Sequence, residues 1–379
     1  KDQIRGGGEP QQGRRVHQQE RDDVYNDKRP GYILVLTITL LSLLVVMVTQ
    51  VFTRGAAYFA YTSTIEKRER AKMLALSGVE LAMSQLYVKK PEQKKGEGGK
   101  GAQDKKGGQP AQKPNEVGIL FQQIFPVLNR WQSKTFNSPQ QGLDGEIKFY
   151  IACEDGKLNL NNLYDFEKQQ FKGNKQEQEL FRKTFLGKLK SVAHIDGDLF
   201  IGLEKLFKKN RLNDVTQLLE RPEYHDFINK VFIKPGGQDK PDIVLTDIFT
   251  TWTQEQGVNP WFFSQSMDDL FGLQGAARDS INARKEAMKN WTKLFKPQAS
   301  WQKDWDTTLG KVYGVQLKTL PQKVDSMFLT KFVPKTFSVV SYGIVGEITQ
   351  KVFAIVVRSG NSNDTYGDVP YKIVKLYWI

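Results

Sequence analysis

The polarity pattern changes character several times along the chain. Residues 31–53, GYILVLTITLLSLLVVMVTQVFT, lie between Arg29 and Arg54 without one charged side chain. At ~1.5 Å per residue, Tyr32 to Thr53 would make a helix of ~33 Å, enough to cross a bilayer core. A secretory signal has only ~7–15 apolar residues and a small-residue cleavage site, and Arg54-Gly55-Ala56-Ala57 supplies a poor one. The pattern predicts a membrane-spanning helix. Residues 56–88 contain no proline, and Leu76, Val79, Met83 and Leu86 recur at three and four, a helix-packing stripe for a soluble body. Glu66 and Arg70 stand at i,i+4 in the favourable order. One helix is expected from the span to about Val88, with Pro91 beyond its end; a break near Gly55 is the alternative.

The next segments differ. Residues 116–132 look amphipathic with a break at Pro126. Two β-favourable runs flank Asp155-Gly156 in GEIKFYIACEDGKLNL, a hairpin signal. From 164 to 320 helical periodicity dominates. Asn213 is expected to cap one helix and Pro260 to occupy a first turn. Phe181, Phe185, Leu186 and Leu189 fall on one helical face, a core role. Val, Ile, Tyr and Phe return after Thr336, as sheets prefer. Helix, strands, helical insertion, strands is an α+β order, with the two strand sets pairing across the insertion.

Composition sharpens this picture mainly by exclusion. The chain has 379 residues and a net charge of +13. Residues 89–113 hold eight lysines against three acids, and their Gly, Gln and Lys content is too polar to fold on a core. No aromatic residue interleaves those lysines as a nucleic-acid stacking platform requires, so no nucleic acid is expected as partner. Cys153 is the sole cysteine, which excludes an internal disulfide and a Cys-based zinc site. His17, His194 and His225 lack metal-ligand spacing. GxSxG, HExxH and P-loop patterns are absent. Glu154 and Asp155 with Asn159 and Asn161 are hard oxygen donors, but they do not make the spaced donor set that calcium needs. No catalytic residue, metal or cofactor is assigned, and the chain is not expected to be an enzyme.

Basic residues (Lys28, Arg29), Gly31, an aromatic Tyr32, then a charge-free run continuing into an amphipathic helix resemble a type IV pilin-like N terminus. The resemblance implies that prepilin peptidase cuts after Gly31 and leaves Tyr32 first; Pro30 departs from the usual pattern. Pilins and most pseudopilins carry Glu at the fifth mature position, where this chain has Leu36. A carboxylate in hydrocarbon is costly unless paired, and lacking it is characteristic of the K minor pseudopilin of type II secretion. Residues 68–86 are similar to that general secretion pathway protein K family at Leu74, Ala75, Ser77, Gly78, Val79, Glu80 and Ala82. The stretch CEDGKLNLNNL resembles a second family element at Glu154, Asp155, Gly156, Lys157, Asn159, Leu160 and Asn161, with Cys153 replacing an acid. The closing strands, ending near Trp378, look like the family's own.

The resemblance implies a type IV pilin-like α+β fold: a long N-terminal helix, half membrane-spanning and half amphipathic, packed on an antiparallel sheet, with a large all-helical insertion. The expected parts are a cytoplasmic leader at 1–31, the helix at 32–88, a disordered Lys/Gly-rich linker at 89–115, the first part of the α/β domain at 116–163, the insertion at 164–320 and closing strands at 321–379. The implied role is a tip subunit that caps and helps start a pseudopilus. Its implied partners are the I- and J-type minor pseudopilins, prepilin peptidase, the cytoplasmic membrane and exported proteins. Lys28 and Arg29 adjoin the span and favour a cytoplasmic N terminus and a periplasmic body. A single-pass membrane-anchored enzyme or binding domain, or a minor type IV pilin, remain open alternatives.

Overall fold

The computed structural model describes residues 30–87, 116–137, 144–236, 243–253, 255–273, 281–332, 334–359 and 370–379. The leader expected at 1–31 lies outside them up to residue 29, and so does the linker expected at 89–115. Two compact units are present, Lys1–Glu66 and Lys67–Ile379.

Helix α1 (Pro30–Leu86) passes Gly55 without a break. Within the first unit its side chains are exposed on every face, Gly55 excepted. It is long and apolar enough to cross a membrane once. Its threonines suit that medium. The hydroxyls of Thr39, Thr49 and Thr53, all within the charge-free span, each donate to the carbonyl four residues back, at 2.7–2.8 Å. A hydroxyl satisfied within its own helix does not need water.

In the second unit, α2 (Glu116–Ile124) ends at a 3-10 turn over Phe125–Val127 that carries Pro126. The strands are β1 (Trp131–Phe136), β2 (Gly145–Cys153), β3 (Leu158–Asn159), β4 (Tyr164–Asp165), β5 (Gln170–Phe171), β6 (Phe249–Thr250), β7 (Thr336–Val345), β8 (Ile348–Arg358) and β9 (Tyr371–Trp378). Five of them form one antiparallel sheet, β1-β2-β7-β8-β9. Cys153 of β2 pairs with Phe337 of β7, so the strands before and after the insertion are neighbours. Gly346, at φ +58°, supplies the positive φ that the two-residue β7–β8 hairpin requires.

The sheet is covered on both faces. Ile147, Phe149, Ile151, Phe337, Val339, Val352 and Ala354 belong to the main core, which includes α1. Tyr150, Ala152, Val340, Tyr342, Phe353 and Ile355 form a second cluster, against which Phe232, Trp252 and Tyr377 pack. The architecture is therefore α+β, a long helix on an antiparallel sheet with further helices inserted between its strands.

Four expectations change. Leu76, placed on the packing stripe, is 38 % exposed, and Met83 is only half-buried. The buried face is instead Ala71, Leu74, Ala75, Gly78, Val79, Ala82 and Leu86. Close approach sets this phase. A Cβ on Gly78 would stand 2.8 Å from Ile147 Cγ2, and one on Gly343 would stand 2.5 Å from the Ala75 nitrogen. Small residues on both partners let the helix backbone approach the sheet, which turns Leu76 outward and leaves Met83 at the margin of the core, while Leu74, Val79 and Leu86 stay buried. Asp155-Gly156 is not a hairpin turn; Glu154–Gly156 is a 3-10 turn, and β3 leaves it to pair parallel with β6. The insertion is not all-helical, since β4 pairs with β5 and β6 with β3 beside its helices. Finally, Asp214 rather than Asn213 caps the turn Val215–Glu220, in a capping box with Gln217. Pro260 does open its turn, which Asn259 caps at 3.1 Å to the Trp261 N–H.

Candidate functional site

The residues singled out in the sequence fall into three places. Gly31, Tyr32 and Leu36 lie in the first turns of α1. Tyr32 is 73 % and Leu36 49 % exposed. Leu76, Ser77, Gly78, Val79, Glu80, Met83 and Leu86 lie near the other end of the same helix. Gly78, Val79 and Leu86 face the sheet, while Ser77 and Glu80 are exposed.

Glu154, Asp155, Gly156, Lys157, Asn159 and Asn161 form the third group. It is a polar clamp inside the protein where β2 ends and the insertion begins. Glu154 and Asp155 are 2 % exposed and Lys157 1 %. A buried charge survives only when paired and hydrogen-bonded. The Lys157 ammonium pairs with Glu154, donates to the Thr246 carbonyl at 2.8 Å and to Ser338 Oγ at 2.9 Å. Three donors thus meet three acceptors on three segments. The second oxygen of Glu154 accepts from the Thr250 hydroxyl.

Asp155 ties the same turn to β7. Its Oδ2 accepts from the Lys335 N–H at 2.8 Å and the Thr336 N–H at 3.2 Å. Its carbonyl accepts from the Asn259 N–H at 2.6 Å. Burial pushes its carboxyl up to about 6, against the pull of those two backbone donors. Burial likewise raises the Asp247 carboxyl and the Cys153 thiol. Gly156 is required here because a Cβ would overlap the Phe262 carbonyl. Asn159 donates to the carbonyl and hydroxyl of Thr253 at 2.5 and 3.0 Å, and accepts from the Asn161 N–H at 3.0 Å. The Asn161 amide grips Leu212 in both directions, at 2.8 Å to its carbonyl and 3.0 Å from its N–H.

The chemistry of this arrangement is mechanical. Both oxygens of Glu154, Oδ2 of Asp155 and the ammonium protons of Lys157 are spent on protein partners. Among the described residues no three His, Cys, Asp or Glu side chains group as a metal site. A second tie joins the insertion to β9. Asp214 accepts from Lys375 Nζ at 3.2 Å and from the Tyr377 hydroxyl at 3.3 Å. Burial and that carboxylate raise the Tyr377 phenol.

Thr246, Thr250, Ser338, Asp214 and Gly343 were not expected as partners. For Thr246, Thr250, Ser338 and Gly343 the sequence signal is a polar or small residue among apolar ones, as Ser338 and Ser341 are in FSVVSYGIV; Asp214, in RLNDVTQ, has none of that kind.

No family model matches the chain, and no curated protein matches it. Among solved structures, the GspK-GspI-GspJ complex from the enterotoxigenic Escherichia coli type 2 secretion system matches with a TM-score of 0.41. The identity is 12 % over 84 % of this chain and 99 % of that chain.

Proposed function

We propose that the chain is a minor pseudopilin of the K type, which caps and helps start the pseudopilus of a type II secretion system. One observation carries the reading: α1 runs unbroken from a charge-free, membrane-length stretch with Leu36 to a segment seated on the sheet through Ala71, Ala75 and Gly78. An ordinary anchor does not need its helix continued into the core of the body. A subunit drawn from a membrane into a fibre does, because the same helix must hold the body and be lifted with it. Leu36 adds a direction along the fibre. Without an acid there, no amine from a neighbour is needed above, which suits a tip.

In this reading prepilin peptidase cuts between Gly31 and Tyr32. The helix sits once in the cytoplasmic membrane with the body in the periplasm. The I- and J-type minor pseudopilins pack against the exposed faces of α1. The body between β2 and β7 fits an apex, where nothing stacks on it. The role is assembly and contact with exported proteins, not catalysis.

Mass spectrometry of the membrane-purified protein tests the first step. A chain beginning at Tyr32 supports the proposal. An intact leader favours the competing reading of a single-pass membrane-anchored enzyme or binding domain, for which Pro30 before Gly31 is the relevant observation. Immunogold labelling of assembled fibres tests the second: label along the whole length would refute a tip role and favour a minor type IV pilin.

A further inference from the structure

A cleft of about 250 Å³ in the insertion is lined by Phe171, Phe181, Phe185, Phe200 and Phe271. Phe171 and Phe200 stack at 4.5 Å, Phe181 and Phe185 at 5.7 Å, and Phe185 meets Phe271 edge-on at 6.2 Å. Exposed Lys172 and Lys323 also line it; among the described residues neither comes within ion-pair distance of a carboxylate, although Lys172 acts on the Asp165 carboxylate from farther off. The carboxylate of Glu177, on the same rim, accepts from the Asn174 N–H of its own capping box at 2.9 Å. The lining thus carries two lysines against one carboxylate, over an aromatic floor.

Two backbone irregularities meet at this cleft. Phe181–Leu186 is a π-helix, and Phe181, Thr184 and Phe185 on it face the cavity. Such turns are uncommon and concentrate at functional sites. Lys323 sits at φ +58°, the left-handed region that a lysine rarely adopts. Neither irregularity is needed by the clamp or the helix seat.

We propose that this cleft is a peptide-docking pocket that takes one aromatic side chain followed by an acidic residue from a partner protein. Size selects the occupant. Drug-sized ligands fill clefts of ~300–1,000 Å³ and are mostly enclosed. This smaller cleft suits a single ring, and rings meet other rings edge-on or offset. A lone ring is a weak free ligand, but as an anchor within a protein interface it is the usual source of affinity. The two lysines select a carboxylate beside that ring, as charge complementarity across an interface does. The assignment does not depend on the assembly reading, because it rests on the pocket alone.

The test uses the full chain in neutral detergent and fluorine NMR of N-acetyl-4-fluorophenylalanyl-aspartyl amide. Saturable binding is expected, weakened about tenfold when the aspartate is replaced by lysine or when the protein carries K172E and K323E together. The charge-reversed protein is expected to prefer the lysine peptide, a swap that a misfolded variant cannot produce. Both lysines are exposed, so the fold is expected to survive. Equal binding of an alanyl-aspartyl peptide, seen by competition, would overturn the aromatic anchor. Insensitivity to both charge reversals would overturn the site. If free 4-fluorophenylpropionate competes as well as the peptide, the cleft is a small-molecule site and the docking proposal fails.

Discussion

Lys157→Met asks how much the buried clamp holds. The substitution keeps most of the side-chain volume but removes an ammonium with three partners, Glu154, the Thr246 carbonyl and Ser338 Oγ. It leaves the Glu154 carboxylate, 2 % exposed, with only the Thr250 hydroxyl as a neutral partner. Removing one member of a buried pair costs about 3–5 kcal/mol, since the other charge stays desolvated. At about 2–4 °C per kcal/mol, the expected loss in Tm is about 6–20 °C. Thermal unfolding of the full chain in detergent measures it, and hydrogen exchange locates it, with lost protection at β3, β6 and the start of β7. Glu154→Gln together with Lys157→Met removes both charges and is expected to recover much of the loss. If Lys157→Met alone costs less than about 1 kcal/mol, or if the double variant is worse than the single by the full cost of a second charge, the clamp is not a charge-balanced unit.

Three further outcomes are expected. Asp155 is raised to about 6, so its contribution to stability is fully present below the ordinary aspartate range and is lost as pH rises through about 6. Subtracting the Asp155→Asn profile from that of the native chain should leave a decline of about 3 kcal/mol between pH 3 and 7, and a flat difference would refute the shift. Gly78→Val should cost at least ~1–3 kcal/mol by overpacking the helix seat, while exposed Leu76→Ala should cost under ~0.5 kcal/mol; thermal unfolding of both separates the observed packing face from the larger-residue stripe. Asp214→Ala should cost about 1–2 kcal/mol through the lost cap, and hydrogen exchange should show faster opening of β9, which loses its Lys375 and Tyr377 tie.

The sequence alone determined features with a local signature. A charge-free run of 22 residues, Tyr32 to Thr53, announces a membrane-length helix because hydrocarbon excludes charge. Val- and Ile-rich runs announce β7 and β8, because a pleated, buried surface selects those shapes. The Glu154–Asn161 element was visible as a motif, but its role was not. Lys157 meets Thr246 and Ser338 from 89 and 181 residues away, and Glu154 meets Thr250 from 96. Nothing in a local window specifies which distant polar group will be buried beside it. The helix seat is not legible in the sequence for a related reason. Hydrophobic periodicity rewards Leu76 and Met83, yet backbone approach rewards Ala71, Ala75 and Gly78, and only the presence of Ser341 and Gly343 on the facing strand makes smallness the deciding property. Tertiary structure therefore decided which face of α1 is buried and which charges hold the insertion to the sheet. Both depend on surfaces that do not exist until β2 and β7 have paired.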